Sequence, residues 1–128
     1  MHIRSVEQPA RKSRGGLSGL QVALVGHLFD PLCGPHPEPR VSDQLRHGYR
    51  FEGAAVVFLE SRPSFRDPTT WRDHDIAEFR FTKTTGQWSL YCQFRDRTWR
   101  AYAPLSTSKV LGELLTEMRR DPTAIFFG

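Results

Sequence analysis

The sequence predicts an α+β fold: an N-terminal helix, a five-stranded mostly antiparallel sheet (a hairpin plus a three-stranded meander), a C-terminal helix and a short terminal apolar segment. Three observations predict it. Apolar residues recur at three- and four-residue spacing near both ends of the chain, over residues 17–29 and 110–118. Between them, from Gly48 to Pro104, the apolar period is two, as a half-buried strand requires. Proline and glycine interrupt the pattern where elements should stop.

In chain order, residues 1–16 carry Pro, Ser, Arg and paired glycines without any hydrophobic period. They are read as a poorly ordered basic tail, leaving residues 17–128 as a single α+β domain. Leu17, Leu20, Leu24 and Leu28, with Val25 and Phe29 beside them, form the apolar face of the first helix. Ser18 is its candidate cap, and Asp30-Pro31 ends it, because proline disfavours helical geometry in the residue before it. "PLCGPHPEPR" holds four prolines and is expected to be an extended connector without regular structure. "YRFEGAAVVFLESRP" reads as a hairpin turning near Glu52-Gly53, with Tyr49, Phe51, Val56 and Phe58 on one side. Val57 and Leu59 fall on the other side. "SFRDPTTWRDHD" is expected to be a polar loop anchored by Trp71.

The meander follows as "IAEFRF", "QWSLYCQF" and "TWRAYAP". Taking Thr85-Gly86 as the first turn pairs Phe81 with Leu90 and Phe79 with Cys92. Taking Asp96-Arg97 as the second pairs Phe94 with Trp99, Cys92 with Ala101 and Tyr91 with Tyr102. This register turns Phe79, Phe81, Trp88, Leu90, Cys92, Phe94, Trp99 and Ala101 inward. Ser106 or Thr107 is the expected cap of the last helix, whose stripe is Val110, Leu111, Leu114, Leu115 and Met118. "AIFFG" ends the chain as an edge strand or an apolar plug.

The chain has 128 residues, enough for one domain with its own core. It contains no apolar run of about 18 residues, so no membrane partner is expected. No secretory h-region follows the basic start, so a cytoplasmic location is expected. Cys33 and Cys92 are too few for a disulfide scaffold and are read as reduced thiols. The net charge is +4, from 18 basic and 14 acidic residues. Four of those basic residues and one acid lie in the tail, so the domain itself is nearly balanced.

The order "GYRFEG", "ESRP", "TGQWSLY", "RDRTWRAYAP" and the closing "FFG" resembles a short bacterial domain-of-unknown-function family, number three thousand and twenty-four. The resemblance covers about residues 39–128 and is most specific at Trp88, Tyr91, Trp99, Tyr102, Pro104 and the Phe-rich end. The family pattern has Trp, Arg, Lys and His at the positions of Cys92, Phe94, Thr98 and Arg100. The resemblance implies the fold boundaries and no particular activity.

The outward set of the meander supplies the binding-surface candidates: Arg80, Tyr91, Gln93, Arg100 and Tyr102. Arginines beside exposed tyrosines on a sheet suit stacking on bases and contact with phosphates. A plain solvated face or a protein-interaction surface shows the same residues. Other groupings carry less. His27, Cys33, His36 and His47 lack paired zinc-ligand spacing. Asp73, His74, Asp75 and Glu78 hold carboxylates beside an imidazole, but consecutive residues do not readily converge. An ion pair at a strand end accounts for Glu60 and Arg62. There is no nucleophile elbow or phosphate loop, so neither catalytic residues, nor a metal, nor a cofactor is assigned.

The expected function is therefore a non-enzymatic binding or adaptor module with an unknown protein partner or self-association. The alternatives are single-stranded nucleic-acid or RNA binding through the polar aromatic face, and a small nuclease or toxin-like enzyme around Asp73–Glu78.

Overall fold

The computed structural model describes residues 16–128, so the expectation for the basic tail lies outside the described residues but for Gly16. Helix α1 (Gly19–Phe29) starts with a capping box. Ser18 Oγ accepts the Gln21 N–H at 3.2 Å, and Gln21 Oε1 accepts the Ser18 N–H at 2.9 Å. Its buried side keeps part of the expected apolar face. Val25 and Phe29 are buried with Leu17, Val22 and Leu28 packed beside them, whereas Leu20 and Leu24 face solvent. The spacing of Val22, Val25 and Phe29 marks the buried face, and larger leucines on the neighbouring side masked it in the sequence.

The Pro-rich connector is more regular than expected. Gly34–Pro35 is a two-residue strand, β1, and Pro39–Ser42 is a single helical turn, α2, with proline in its first turn. The sheet continues with β2 (Arg46–Glu52), β3 (Ala55–Pro63), β4 (Trp71–Thr82), β5 (Gln87–Gln93), β6 (Trp99–Ala101) and β7 (Thr107–Ser108). The seven strands are antiparallel in the order β1-β2-β3-β4-β5-β6, and β7 also pairs with β5. Helix α3 (Leu111–Arg120) completes the elements.

Strand β4 begins at Trp71, inside the stretch read as a polar loop. Its charged residues hold their place through cross-strand partners rather than apolar burial. Ser61 Oγ donates to Asp73, and Arg50 grips Asp75 through two bonds of 2.8 and 3.0 Å. A bulge lies in this pair: Phe58 faces Ala77 but Leu59 faces Asp75, which leaves Ile76 as the extra residue.

Two turns decide the meander's register. Between β4 and β5, Thr82 pairs with Gln87 across a four-residue loop, so Phe81 meets Trp88 and Phe79 meets Leu90. This differs from the expected register by two residues, and every side chain keeps its face. Between β5 and β6, Phe94 N–H bonds to Thr98 O (2.9 Å) across a three-residue loop, with Arg97 at φ 67°. Tyr91 then pairs with Ala101, Cys92 with Arg100 and Gln93 with Trp99. That is a slip of one residue, and it exchanges the faces. Trp99 and Ala101 turn to the outer side, while Tyr102 turns inward.

The core lies on one face of the sheet, beneath both helices. Phe29 packs against Tyr49 and Phe79, each at 5.3 Å between ring centroids, and against Phe58 at 6.2 Å. Leu111, Leu114, Leu115 and Met118 of α3 close the same face over Trp88 and Leu90. Each large side chain so buried contributes about 2 kcal/mol. Val110, expected in this stripe, is exposed and precedes the helix. The helix also starts later than the expected Ser106 or Thr107 cap, because Thr107 is held in β7; Ser108 Oγ instead accepts the Val110 N–H at 2.9 Å.

Among the described residues no helix covers the other sheet face, yet Val57 and Leu59 are buried there. Long polar side chains roof them. Arg50 reaches from β2 to Asp75, and Arg80 lies 3.7 Å from the Tyr91 ring centroid while bonding Glu78 at 2.7 Å. The aliphatic stems and flat guanidinium groups exclude water while their heads stay paired.

The chain end is a plug rather than a strand. Asp121 takes the left-handed conformation (φ 47°) after α3, and its two carboxylate oxygens accept the N–H groups of Phe126 (3.0 Å) and Phe127 (2.8 Å). Phe126 is thereby set 5.0 Å from the Tyr102 ring in the core.

Candidate functional site

The five binding-surface candidates do not form one row. Arg80, Tyr91 and Gln93 share the outer face, and Trp99 joins them opposite Gln93. Arg80 occupies one side of the Tyr91 ring. Arg100 lies on the inner side of the strand, at its rim, over Phe94 at 4.2 Å and 3.6 Å from Asp96. Tyr102 has 1% exposure and donates its hydroxyl to Glu117 at 2.8 Å, so it is a core residue. Its outward placement is corrected by the one-residue slip.

The acidic stretch separates as well. Asp73 is bonded to Ser61, Asp75 to Arg50 and Glu78 to Arg80, each on the outer face, while His74 points to the other face opposite Glu60. Among the described residues, no group of three His, Cys, Asp or Glu side chains is placed to hold a metal ion. Cys33 and Cys92 are both thiols. Burial pushes the Cys92 thiol up, away from the thiolate form that a nucleophile needs.

A different constellation does assemble. His47 of β2 and Phe58, Glu60 and Arg62 of β3 form the floor of an open cleft of about 400 Å³. Leu32 and His36 from the Pro-rich connector, with Leu45 just before β2, make one wall. Met118, Arg119 and Phe127 make the other. His47 stacks on Phe58 at 5.4 Å and meets the edge of Phe127 at 6.2 Å. His47 Nε2 stands 3.6 Å from Glu60 Oε1, and Arg62 Nε donates to Glu60 Oε2 at 3.1 Å. The His47 imidazole first, and Arg62 after it, hold the Glu60 carboxyl below its usual range against the opposing effect of burial.

The sequence held partial signals of this cleft. His36 and His47 stood out as a poor zinc pattern, and Glu60 and Arg62 as a strand-end pair. The missing information was the antiparallel pairing of His47 with Glu60 and the return of Phe127 against His47 and Phe58.

The family model described as "Domain of unknown function (DUF3024)" matches residues 17–128. The chain belongs to this family. Among curated proteins and among solved structures, no significant match to this DUF3024 chain was found. The match includes α1 and so begins earlier than the resemblance over residues 39–128. Several motif residues now have places in the DUF3024 fold. Trp88 and Tyr102 are core, Tyr91 and Trp99 line the outer face, and Pro104 lies in the 3-10 turn between β6 and β7. Phe126 plugs the core while Phe127 walls the cleft.

No helix among the described residues is long and apolar enough to cross a membrane.

Proposed function

We propose that this DUF3024 protein is a non-enzymatic binding module that engages a protein partner through the outer face of α1. The observation that carries the reading is an apolar surface on a helix without a single Asp, Glu, Lys or Arg among its eleven residues. Helices in contact with water on one side normally carry charge there, and a helix apolar all round is normally covered. In α1 the sheet covers only Val25, Phe29 and their neighbours. Leu20 (85% exposed) and Leu24 (41% exposed) stand one turn apart on the uncovered side, with Ala23 between them. The capping box and the Phe29 anchor form the helix without any partner, so the surface is presented ready-made.

The second reading, single-stranded nucleic-acid binding, draws on Arg80, Tyr91, Gln93 and Trp99 of the outer sheet face. It draws less support, because Arg80 already covers one side of the Tyr91 ring and Tyr102 contributes no surface.

The test is site-specific photocrosslinking in the cells that make the protein. A photoreactive residue at Leu20 is expected to give one discrete adduct, either with another protein or with a second copy. The same probe at exposed Glu52 serves as the control, and Leu24→Glu is expected to abolish the Leu20 adduct without lowering Tm. A smear no different from the Glu52 control would overturn the proposal.

A further inference from the structure

We propose that the cleft floored by His47, Glu60 and Arg62 binds a small organic anion: an apolar body carrying one carboxylate or phosphate group. This site is separate from the α1 surface and stands independently of it.

The hydrogen-bonding capacity of the lining determines the ligand's polar end. The one carboxylate among the described lining residues, Glu60, is engaged on both oxygens, by His47 and by Arg62. Its charge already faces the Arg62 guanidinium, which disfavours a cationic ligand there. What remains are donors. Arg62 uses only Nε on Glu60, and its two Nη groups make no hydrogen bond among the described residues. Arg119 makes neither a hydrogen bond nor an ion pair among them. His36 accepts the Glu38 N–H on Nδ1 at 3.0 Å, so its proton sits on Nε2 and is available to donate. Three donor groups, two of them permanently charged, converge from β3, α3 and the connector. The polar groups of the lining left without a partner among the described residues are donors, and they are matched by an acceptor group such as a carboxylate or phosphate.

The rest of the lining sets the body. Leu32, Leu45, Phe58, Met118 and Phe127 give an apolar wall, and the volume of about 400 Å³ lies in the range of small-molecule sites. A bare inorganic ion would leave that wall wet. An aliphatic or aromatic tail would cover it.

The experiment uses the purified full chain at low salt, with four probes: 4-phenylbutyrate, phenyl phosphate, the neutral 4-phenylbutanol and inorganic phosphate. Binding is followed through the His36 and His47 ring signals in NMR titrations. Saturable shifts are expected with one or both organic anions, and the stronger of the two identifies the head group. Arg119→Ala is expected to weaken that binding by about tenfold, the loss of one charge-assisted contact, with Tm unchanged because the residue is exposed. The proposal is overturned if phenylbutanol binds as well as the anions, or if inorganic phosphate binds as well as the organic probes. It is equally overturned if Arg119→Ala binds like the parent, or if neither organic anion saturates the signals up to about 10 mM, a range that reaches very weak sites.

Discussion

At the scale of the residue, Glu60 is the most informative side chain. Only 16% of its side chain is exposed, and its carboxylate lies between His47 at 3.6 Å and Arg62 at 3.1 Å. Its carboxyl is held below the usual range, so the charged form is favoured in the folded chain. A group depressed in this way stabilises the fold at pH above its unfolded value, about 4.3 for Glu, and that contribution is lost as pH falls through the folded value. Glu60→Gln removes the ionisable group. The variant is expected to be less stable than the parent at neutral pH, with the difference shrinking as pH drops below about 4. Thermal melts of both proteins across this range read the effect. A Tm difference independent of pH would show that Glu60 acts by packing alone. In the sequence, Glu60 was legible as half of an ion pair with Arg62; its contact with His47 depended on β2 lying beside β3.

At the scale of the element, two hairpins show what a turn controls. The β4–β5 turn shifts the register by two residues and leaves every face as alternation implies. The β5–β6 turn shifts it by one and sends Tyr102 to the core and Trp99 to the outer face. The difference lies in Arg97, a non-glycine residue at φ 67° that closes a three-residue loop. In "FRDRTW" glycine and asparagine are absent, and the residue that tolerates a left-handed position, Asp96, is not the one that takes it. Arg97→Gly is expected to raise stability by about 0.5 kcal/mol, since glycine takes this conformation without the side-chain clash. Urea denaturation should show a higher midpoint at an unchanged slope. A lower midpoint would mean that the Arg97 side chain contributes more than its backbone strain costs. Strand β4 illustrates the complementary case: Asp73 and Asp75 lack strand propensity, and partners on β2 and β3 hold them.

At the scale of the whole molecule, Phe126 and Phe127 connect regions that the chain otherwise keeps apart. Asp121 fixes the return, Phe126 fills the core beside Tyr102, and Phe127 leans over His47 and Phe58. Phe126→Ala is expected to cost about 3 kcal/mol, the range for emptying a buried aromatic site. In a domain of this size that lowers Tm by roughly 10 °C or more. Phe127→Ala, at a position 43% exposed, should cost distinctly less. Differential scanning calorimetry of the two variants checks the contrast. Equal losses would mean that the plug is held as a unit rather than through Phe126.

The sequence by itself determined the fold class, the two helices, the strands of the meander and the faces of the first hairpin. Each of these follows from a local period, 3.6 or 2, that a short window of residues carries in full. It also carried the family membership and most of the core. Only the tertiary structure decided the faces of Tyr102 and Trp99, the buried side of α1 and the convergence of His36, His47, Arg62, Arg119 and Phe127. The reason is physical. A face depends on the parity of a turn, a helix's buried side on what it docks against, and a cleft on strands and chain ends that lie far apart in sequence.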